Sequence, residues 1–230
     1  MKYALPIIAI NYKAYSQAFG SKALEIAKAA EKVHRETGAT IIIAPPFTEL
    51  FRLKQAVEIP VFAQHADPID PGAHTGFIPL EAIKEVGVDG VILNHSEHKL
   101  ITTHLYKLIK KAKQLGLITL VCADEPEIGA SIAVFNPDMI AVEPPELIGT
   151  GIPVSKAKPE IVTNSVSLIR KINDKVTILT GAGITTGDDV AAAIKLGTAG
   201  VLVASAVMKA KDPYKVILDM ATKGLEALNR

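Results

Sequence analysis

Short, continuously apolar segments rich in β-branched residues recur eight times along the chain. They do not alternate between apolar and polar side chains, which is typical of strands in a parallel sheet with both faces covered. The eight predicted strands are Ala4–Ile10, Thr40–Ala44, Pro60–Ala63, Gly90–Leu93, Leu117–Cys122, Met139–Val142, Val176–Leu179 and Gly200–Val203.

Amphipathic segments with helix start and stop signals lie between these strands. Gly38 and Gly116 follow two of them, and Pro213 is in the first turn of the last, positions that these residues favour. The predicted helices are Ser21–Glu36, Thr48–Ala56, Leu80–Val86, Thr102–Leu115, Pro126–Val134, a helix from Ser155 or Lys156 to Lys171, Asp188–Leu196 and the helix that includes Pro213.

Eight alternations of strand and helix predict an α/β fold. Parallel strands need a crossover connection, which the helices supply. A closed (β/α)8 barrel uses all eight units within 230 residues, whereas an open sheet of that length rarely needs so many. No shift in composition or low-complexity segment divides the chain, so we expect residues 1–230 to form a single barrel domain.

Composition and charge exclude several classes of protein. Hydrophobic residues make up 49% of the chain, and 25 basic residues balance 24 acidic ones. General disorder and a nucleic-acid-binding surface are therefore not expected. No apolar segment approaches the roughly 18 residues that span a bilayer. The one cysteine, Cys122, has no partner for an internal disulfide, which favours a reducing compartment.

The active site of such a barrel lies at the carboxyl ends of its strands. Asn11 and Lys13 follow the first strand, and strand alternation directs both toward the mouth of the barrel. Small residues follow strands 7 and 8, at Gly181–Gly183 and at Ala204 and Ser205, where a short helix Ser205–Lys209 is expected. These turns favour the binding of a phosphate group through backbone N–H groups.

Two histidines follow strand 4. His95 and His98 have the spacing of metal ligands, but no third ligand is evident. Alternatively, His95 alone transfers protons, or the segment is a helix start with Ser96 as its N-cap. The remaining histidines, His34, His65, His74 and His104, are interpreted as surface or loop residues.

Glu143 comes directly after strand 6, where we expect it to be shielded from water. The segment behind it has two prolines, an apolar tip at Leu147 and Ile148, and glycines at its end. This pattern favours a lid that closes over a ligand, although an ordinary loop has similar residues.

Together these strand ends resemble the triosephosphate isomerase family. The resemblance rests on Asn11-x-Lys13, on His95–Glu97, on Glu143–Gly151 with its Glu-Pro-x-x-x-Ile-Gly-Thr-Gly pattern, and on the small-residue turns. It covers the whole chain in order and implies a TIM barrel. The chain differs from most members at Tyr12, Asn94, His98, the Pro145–Leu147 lid tip and Ala204–Ser205, and is similar to the short, archaeal-type branch.

The resemblance implies interconversion of glyceraldehyde 3-phosphate and dihydroxyacetone phosphate, a step of glycolysis and gluconeogenesis in the cytoplasm. Glu143 would be the base, His95 would polarise the carbonyl, and Lys13 would stabilise the negative charge of the enediolate. Asn11, Lys13, Ile148, Gly183, Ala204 and Ser205 would bind the substrate. Neither a cofactor nor a metal is expected.

The resemblance also implies a homo-oligomer, a dimer or a tetramer. The loop His65–Pro79 is longer than most βα connections, and its Thr75 would reach a partner subunit near Lys13 and His95. Two other functions stay open at this point. One is another phosphate-binding barrel enzyme, such as a Schiff-base aldolase, and the other is a barrel that binds phosphometabolites without catalysis.

Overall fold

Eight parallel strands form one closed barrel in the computed structural model, which describes residues 3–144 and 157–229. Their order in the sheet is β2-β1-β8-β7-β6-β5-β4-β3, and a bridge between Ile43 and Val61 joins β2 to β3. The predicted (β/α)8 barrel is therefore confirmed. The strands are β1 Ile7–Asn11, β2 Thr40–Ala44, β3 Phe62–Ala63, β4 Gly90–Leu93, β5 Ile118–Ala123, β6 Met139–Val142, β7 Thr177–Thr180 and β8 Gly200–Val203.

Four strands, β2, β4, β6 and β8, have the predicted bounds. The largest differences concern β1, which begins at Ile7 instead of Ala4, and β3, which has two residues instead of four. Each apolar segment includes a proline, Pro6 or Pro60, which has no N–H to donate to a neighbouring strand. Hydrophobicity alone therefore overestimated the length of both strands.

Helices surround the barrel, and those that fall within the described residues agree with the predictions to within a few residues. Helix α1 ends at Gly38, which has φ 73° and donates its N–H to the carbonyl of His34. The predicted helix start at Ser155 or Lys156 lies outside the described residues. The described helices are α1 Gly20–Thr37, α2 Phe47–Ala56, α3 Leu80–Glu85, α4 Thr102–Gln114, α5 Pro126–Ala133, α6 Pro159–Ile172, α7 Gly187–Lys195, α8 Ser205–Met208 and α9 Pro213–Leu228.

Alternate residues of each strand face two different parts of the core. In β1, Ile7 and Ala9 pack with Phe62 and Leu120 inside the barrel, whereas Ile8 and Ile10 pack with the surrounding helices. All five residues of β1 are buried, which explains the absence of polar alternation. By the same alternation, the side chain of Asn11 is directed toward the inside of the barrel, as are those of Ile7 and Ala9.

Among residues 3–144 and 157–229, no helix combines the length and the apolar character that crossing a membrane requires.

Candidate active site

A cavity of about 490 Å³ opens at the carboxyl ends of the strands, where the sequence analysis expected it. Seven of the eight predicted site residues line it, and they come from the ends of β1, β4, β6, β7 and β8. They are Asn11, Lys13, His95, Glu143, Gly183, Ala204 and Ser205. The eighth, Ile148, lies outside the described residues, as does the lid predicted behind Glu143.

The backbone of Lys13 is held in an uncommon conformation by two amide side chains. Its φ is 48°, in the left-handed region that non-glycine residues rarely adopt. The Lys13 N–H donates to Oδ1 of Asn11 at 2.9 Å, and Nε2 of Gln64 donates to the Lys13 carbonyl at 3.0 Å. These bonds fix where the lysine side chain leaves the backbone, and Asn11 is therefore a positioning residue for it.

The ammonium group of Lys13 forms an ion pair with Glu97. Nζ lies 2.8 Å from Oε1 of Glu97, and the lysine side chain is 14% exposed against 59% for the glutamate. Because the pair joins β1 to the segment after β4, it keeps a positive charge at the edge of the cavity.

His95 lies in a tight turn, so the expected helix start at Ser96 is wrong. The N–H of His98 donates to the His95 carbonyl at 2.8 Å, and helix α4 begins only at Thr102. The Glu97 N–H donates to Nδ1 of His95 at 3.1 Å. A neutral ring that accepts at Nδ1 carries its proton on Nε2. The turn, rather than a helix N-terminus, therefore supplies the donor that selects the tautomer with its proton on Nε2.

Glu143 is buried and keeps one carboxylate oxygen free. The residue is 5% exposed, and among the described residues its Oε2 has no hydrogen-bond partner. Its N–H donates to the carbonyl of Ala123 at 2.8 Å, which fixes it beside β5. A buried carboxylate oxygen without a partner is costly, and such atoms are concentrated where a substrate or a reaction uses them.

The free oxygen of Glu143 faces the imidazole. Oε2 lies 3.8 Å from Nε2 of His95, and both side chains are 7% exposed. A base and a proton donor thus stand side by side in one cavity, with the Lys13 ammonium at its edge. This arrangement can take a proton from a carbon atom while a neighbouring oxygen accepts a hydrogen bond.

The thiol of Cys122 lies inside the barrel beneath this site. Burial raises the pKa of the Cys122 thiol well above its usual value, and the adjacent Glu143 carboxylate raises it further. The thiol is therefore protonated and unreactive, which agrees with the interpretation of Cys122 as a packing residue.

Small residues form the opposite wall of the cavity. Ala182 and Gly183 have φ values of 67° and 72°, so the backbone curls around the end of β7. Next to them, α8 begins at Ser205, and the first N–H groups of a helix have no partner within it. Such a concave backbone suits an anion.

Comparison with known proteins distinguishes between the functions that the sequence analysis left open. The family model for triosephosphate isomerase matches residues 6–221. The chain belongs to the triosephosphate isomerase family. It is 54% identical to the triosephosphate isomerase of Pyrobaculum islandicum, over 94% of this chain and 94% of that protein. The triosephosphate isomerase of Caldivirga maquilingensis is 51% identical, over 94% of this chain and 96% of that protein. The triosephosphate isomerase of Methanocaldococcus jannaschii is 50% identical, over 93% of this chain and 98% of that protein.

Membership of the isomerase family confirms the predicted function, and it does not favour an aldolase or a binding barrel. These relatives are archaeal, so the resemblance to the short branch is also confirmed. The assignment of individual residues to catalysis or binding stays a proposal, which the geometry above supports.

The metal interpretation of His95 and His98 does not agree with the observed geometry. His95 faces Glu143, whereas the ring of His98 stacks on His65. Within residues 3–144 and 157–229, no three His, Cys, Asp or Glu side chains are grouped to hold a metal ion.

Several residues of this isomerase site were not identified from the sequence. Tyr15 lines the cavity, but it lies beyond the end of β1, where strand alternation no longer applies. His65 was expected to be a surface or loop residue; it lies in the loop after β3, but it is buried, at 6% exposed. The pairing of Glu97 with Lys13 depends on two loops meeting, which no local pattern indicates.

Proposed function

We propose that Glu143, His95 and Lys13 carry out the isomerisation of glyceraldehyde 3-phosphate and dihydroxyacetone phosphate in this protein. The observation that carries the assignment is Oε2 of buried Glu143, which has no hydrogen-bond partner within residues 3–144 and 157–229 and lies 3.8 Å from Nε2 of His95. A base with a free oxygen and an adjacent neutral donor are what a 1,2-proton transfer requires.

Each group has one task in this scheme. Glu143 takes the proton from the carbon next to the carbonyl and returns it to the neighbouring carbon. Nε2–H of His95 donates to the substrate oxygens on which negative charge develops, and the charge of Lys13 stabilises the enediolate and the phosphate. Asn11 holds the Lys13 backbone through its 2.9 Å hydrogen bond. The scheme uses side chains alone and needs no metal or cofactor.

The phosphate group would bind against the curled backbone on the other side of the cavity. Gly183, Ala204 and Ser205 line this wall, and their small side chains allow the backbone N–H groups to approach an anion closely. Ile148 would cover the substrate from the lid. Shielding from water matters here because an exposed enediolate phosphate eliminates its phosphate.

A coupled assay with glyceraldehyde 3-phosphate tests the proposal. Glu143→Gln keeps the shape of the side chain but removes the base, and we expect kcat to fall by about 10²–10⁴-fold. Glu125→Gln, at the exposed start of α5, is the matched control and should keep normal turnover. Near-normal turnover of Glu143→Gln would show that another residue is the base.

We also propose a homo-oligomer, supported by the loop between β3 and α3. The Asp67 N–H donates to the Ile78 carbonyl and the Ile78 N–H donates to Oδ2 of Asp67, which closes the stem of the loop, and Nζ of Lys111 donates to Asp70 Oδ1 at 2.7 Å. The loop is thus held in shape, while Phe77 next to its stem is 55% exposed. A second cavity, next to the active site, is lined by Lys13, Glu97 and other residues and would receive the partner subunit's Thr75.

Exposed apolar side chains on α4 and α5 support a tetramer of two dimers. Tyr106 packs edge-on against Phe135 at 5.3 Å, and Ile128 and Val134 are 44% and 66% exposed. Such a surface is costly to leave in water. The cytoplasm is the proposed location, supported by a glycolytic activity and by the buried, unpaired Cys122.

A further inference from the structure

Two histidine rings stack on each other beside the active site. The ring centroids of His65 and His98 lie 3.6 Å apart, and the ring planes differ by 14°. His65 is buried at the end of β3, and its Nε2 lies 3.5 Å from Oδ1 of Asp67. His98 is exposed and completes the turn that begins at His95.

The stack supports the turn that carries the catalytic groups. His98 donates its N–H to the His95 carbonyl, and Glu97 between them both donates to the His95 ring and pairs with Lys13. The side chain of His98 therefore packs this turn against the segment that follows β3. A shift of the turn would move His95 and Lys13 together.

We propose that His65 and His98 are positioning residues for the isomerisation, and that the second proton taken up by the stacked pair releases the turn. The inference rests on the proposed roles of His95 and Lys13. Two imidazolium rings at van der Waals distance repel each other strongly, whereas one charged and one neutral ring can stay stacked.

The surroundings of the pair disfavour a positive charge on the buried ring, His65. Burial and the neighbouring His98 lower the pKa of His65, and Asp67 raises it only in part. The other titratable groups nearby are Glu97, Lys13 and His95, and Glu97 is already paired with Lys13. Because the pKa of His65 is lowered in the stack, the stack is stable while His65 is neutral, and its stability decreases as the pH falls below the ordinary histidine value of about 6.5.

The test compares variants of His98 with the wild type from pH 8 to pH 5. His98→Phe keeps a flat ring on His65 but takes up no proton. We expect its kcat/KM to stay within about 3-fold of wild type at pH 8, and the ratio of variant to wild type to rise roughly 10-fold by pH 5. Because the substrate and the other titratable groups are the same for both proteins, their effects on the pH dependence cancel in this ratio.

His98→Ala removes the stack, and it should lower kcat about 10-fold at pH 8 with little change in KM. Rescue by the Phe variant would distinguish positioning from a general loss of structure. His104→Phe, the same substitution at an exposed position of α4, should leave the pH profile unchanged. Light scattering and circular dichroism at the assay concentration verify that all variants share one fold and one assembly state.

Histidine NMR of the wild type gives a readout besides activity. We expect the pKa of the His65 ring to lie below the ordinary histidine value of about 6.5 in the wild type and to shift upward in His98→Phe. A ratio that stays flat from pH 8 to pH 5, or an unchanged His65 titration, would overturn the inference while leaving the proposed function intact. An inactive wild-type protein would instead overturn the proposed function.

Discussion

A side chain at position 181 would place its Cβ 2.4 Å from Oε1 of Glu143, so the carboxylate occupies the space that only glycine leaves free. Gly181 is held by its N–H bond to the carbonyl of Val142, the residue before Glu143. Glu143 and Gly181 thus fit each other at the ends of adjacent strands. Gly181→Ala should push the carboxylate away from His95 and lower kcat by about 10–100-fold.

Gly129→Ala is a control for this substitution. Its added Cβ would meet Cδ1 of Ile169 at 3.1 Å, a flexible methyl group on α6 that does not line the cavity. We expect a small change in the thermal midpoint and normal kcat. If Gly181→Ala also keeps normal kcat, the position of the Glu143 carboxylate does not depend on the absence of a side chain at position 181.

The position of the active site could be predicted because strand alternation is a property of the backbone itself. Asn11 is the last residue of a strand whose odd residues face inward, Lys13 comes two residues later, and both line the cavity. Glu143 follows an equally regular strand with the predicted bounds. For these residues, local pattern and barrel topology were sufficient.

Contacts between loops could not be predicted in the same way. The Ser96 N-cap was a reasonable local interpretation, but the side chain of His95 accepts from Glu97 and a turn forms instead. Nothing near His65 in sequence indicates that it packs against His98, because the contact joins the ends of β3 and β4. Tertiary contacts of this kind override local propensity.

Glu97 provides a second prediction, because it pairs with Lys13 across two loops. Glu97→Gln keeps a polar side chain but removes the charge that holds the ammonium, and kcat should fall about 10-fold. Steady-state kinetics with both triose phosphates measure this. Glu226→Gln removes an exposed ion pair with Lys223 on α9 and should have no effect. Equal activity of the two variants would argue against a positioning role for Glu97.

His95 is expected to act as a neutral acid without a metal, because the Glu97 N–H occupies its Nδ1. His95→Gln should lower kcat by about 10²–10⁴-fold, and dialysis against a chelator should leave the wild-type activity unchanged. His104→Gln is the control at an exposed site. Activity that is lost with chelator and restored by zinc would favour the metal interpretation instead.

Cys122 should resist alkylation in the folded protein. Burial and the Glu143 carboxylate raise the pKa of its thiol, so little thiolate exists even at pH 8.5. A thiol reagent is expected to modify the native protein far more slowly than the protein unfolded in guanidinium, where the thiol is exposed and has its ordinary pKa. Comparable rates in the two states would show that the interior beneath Glu143 is open to solvent.

The assembly proposal depends on the loop between β3 and α3 being rigid before a partner binds. Lys111 contacts three groups that hold this loop, Asp70 at 2.7 Å, the Ile69 carbonyl at 3.1 Å and Glu81 at 2.6 Å. Without the lysine, the loop must become ordered when the partner binds, and the entropic cost of this ordering weakens the association. The surface that touches the partner is not altered. Lys111→Met should therefore raise the dissociation constant of the assembly about 10-fold or more, whereas exposed Lys110→Met should not. Light scattering from nanomolar to micromolar concentration, with activity measured on the same samples, follows the dissociation. A fully active wild-type species with the monomer mass of 24.4 kDa would contradict both the dimer and the tetramer.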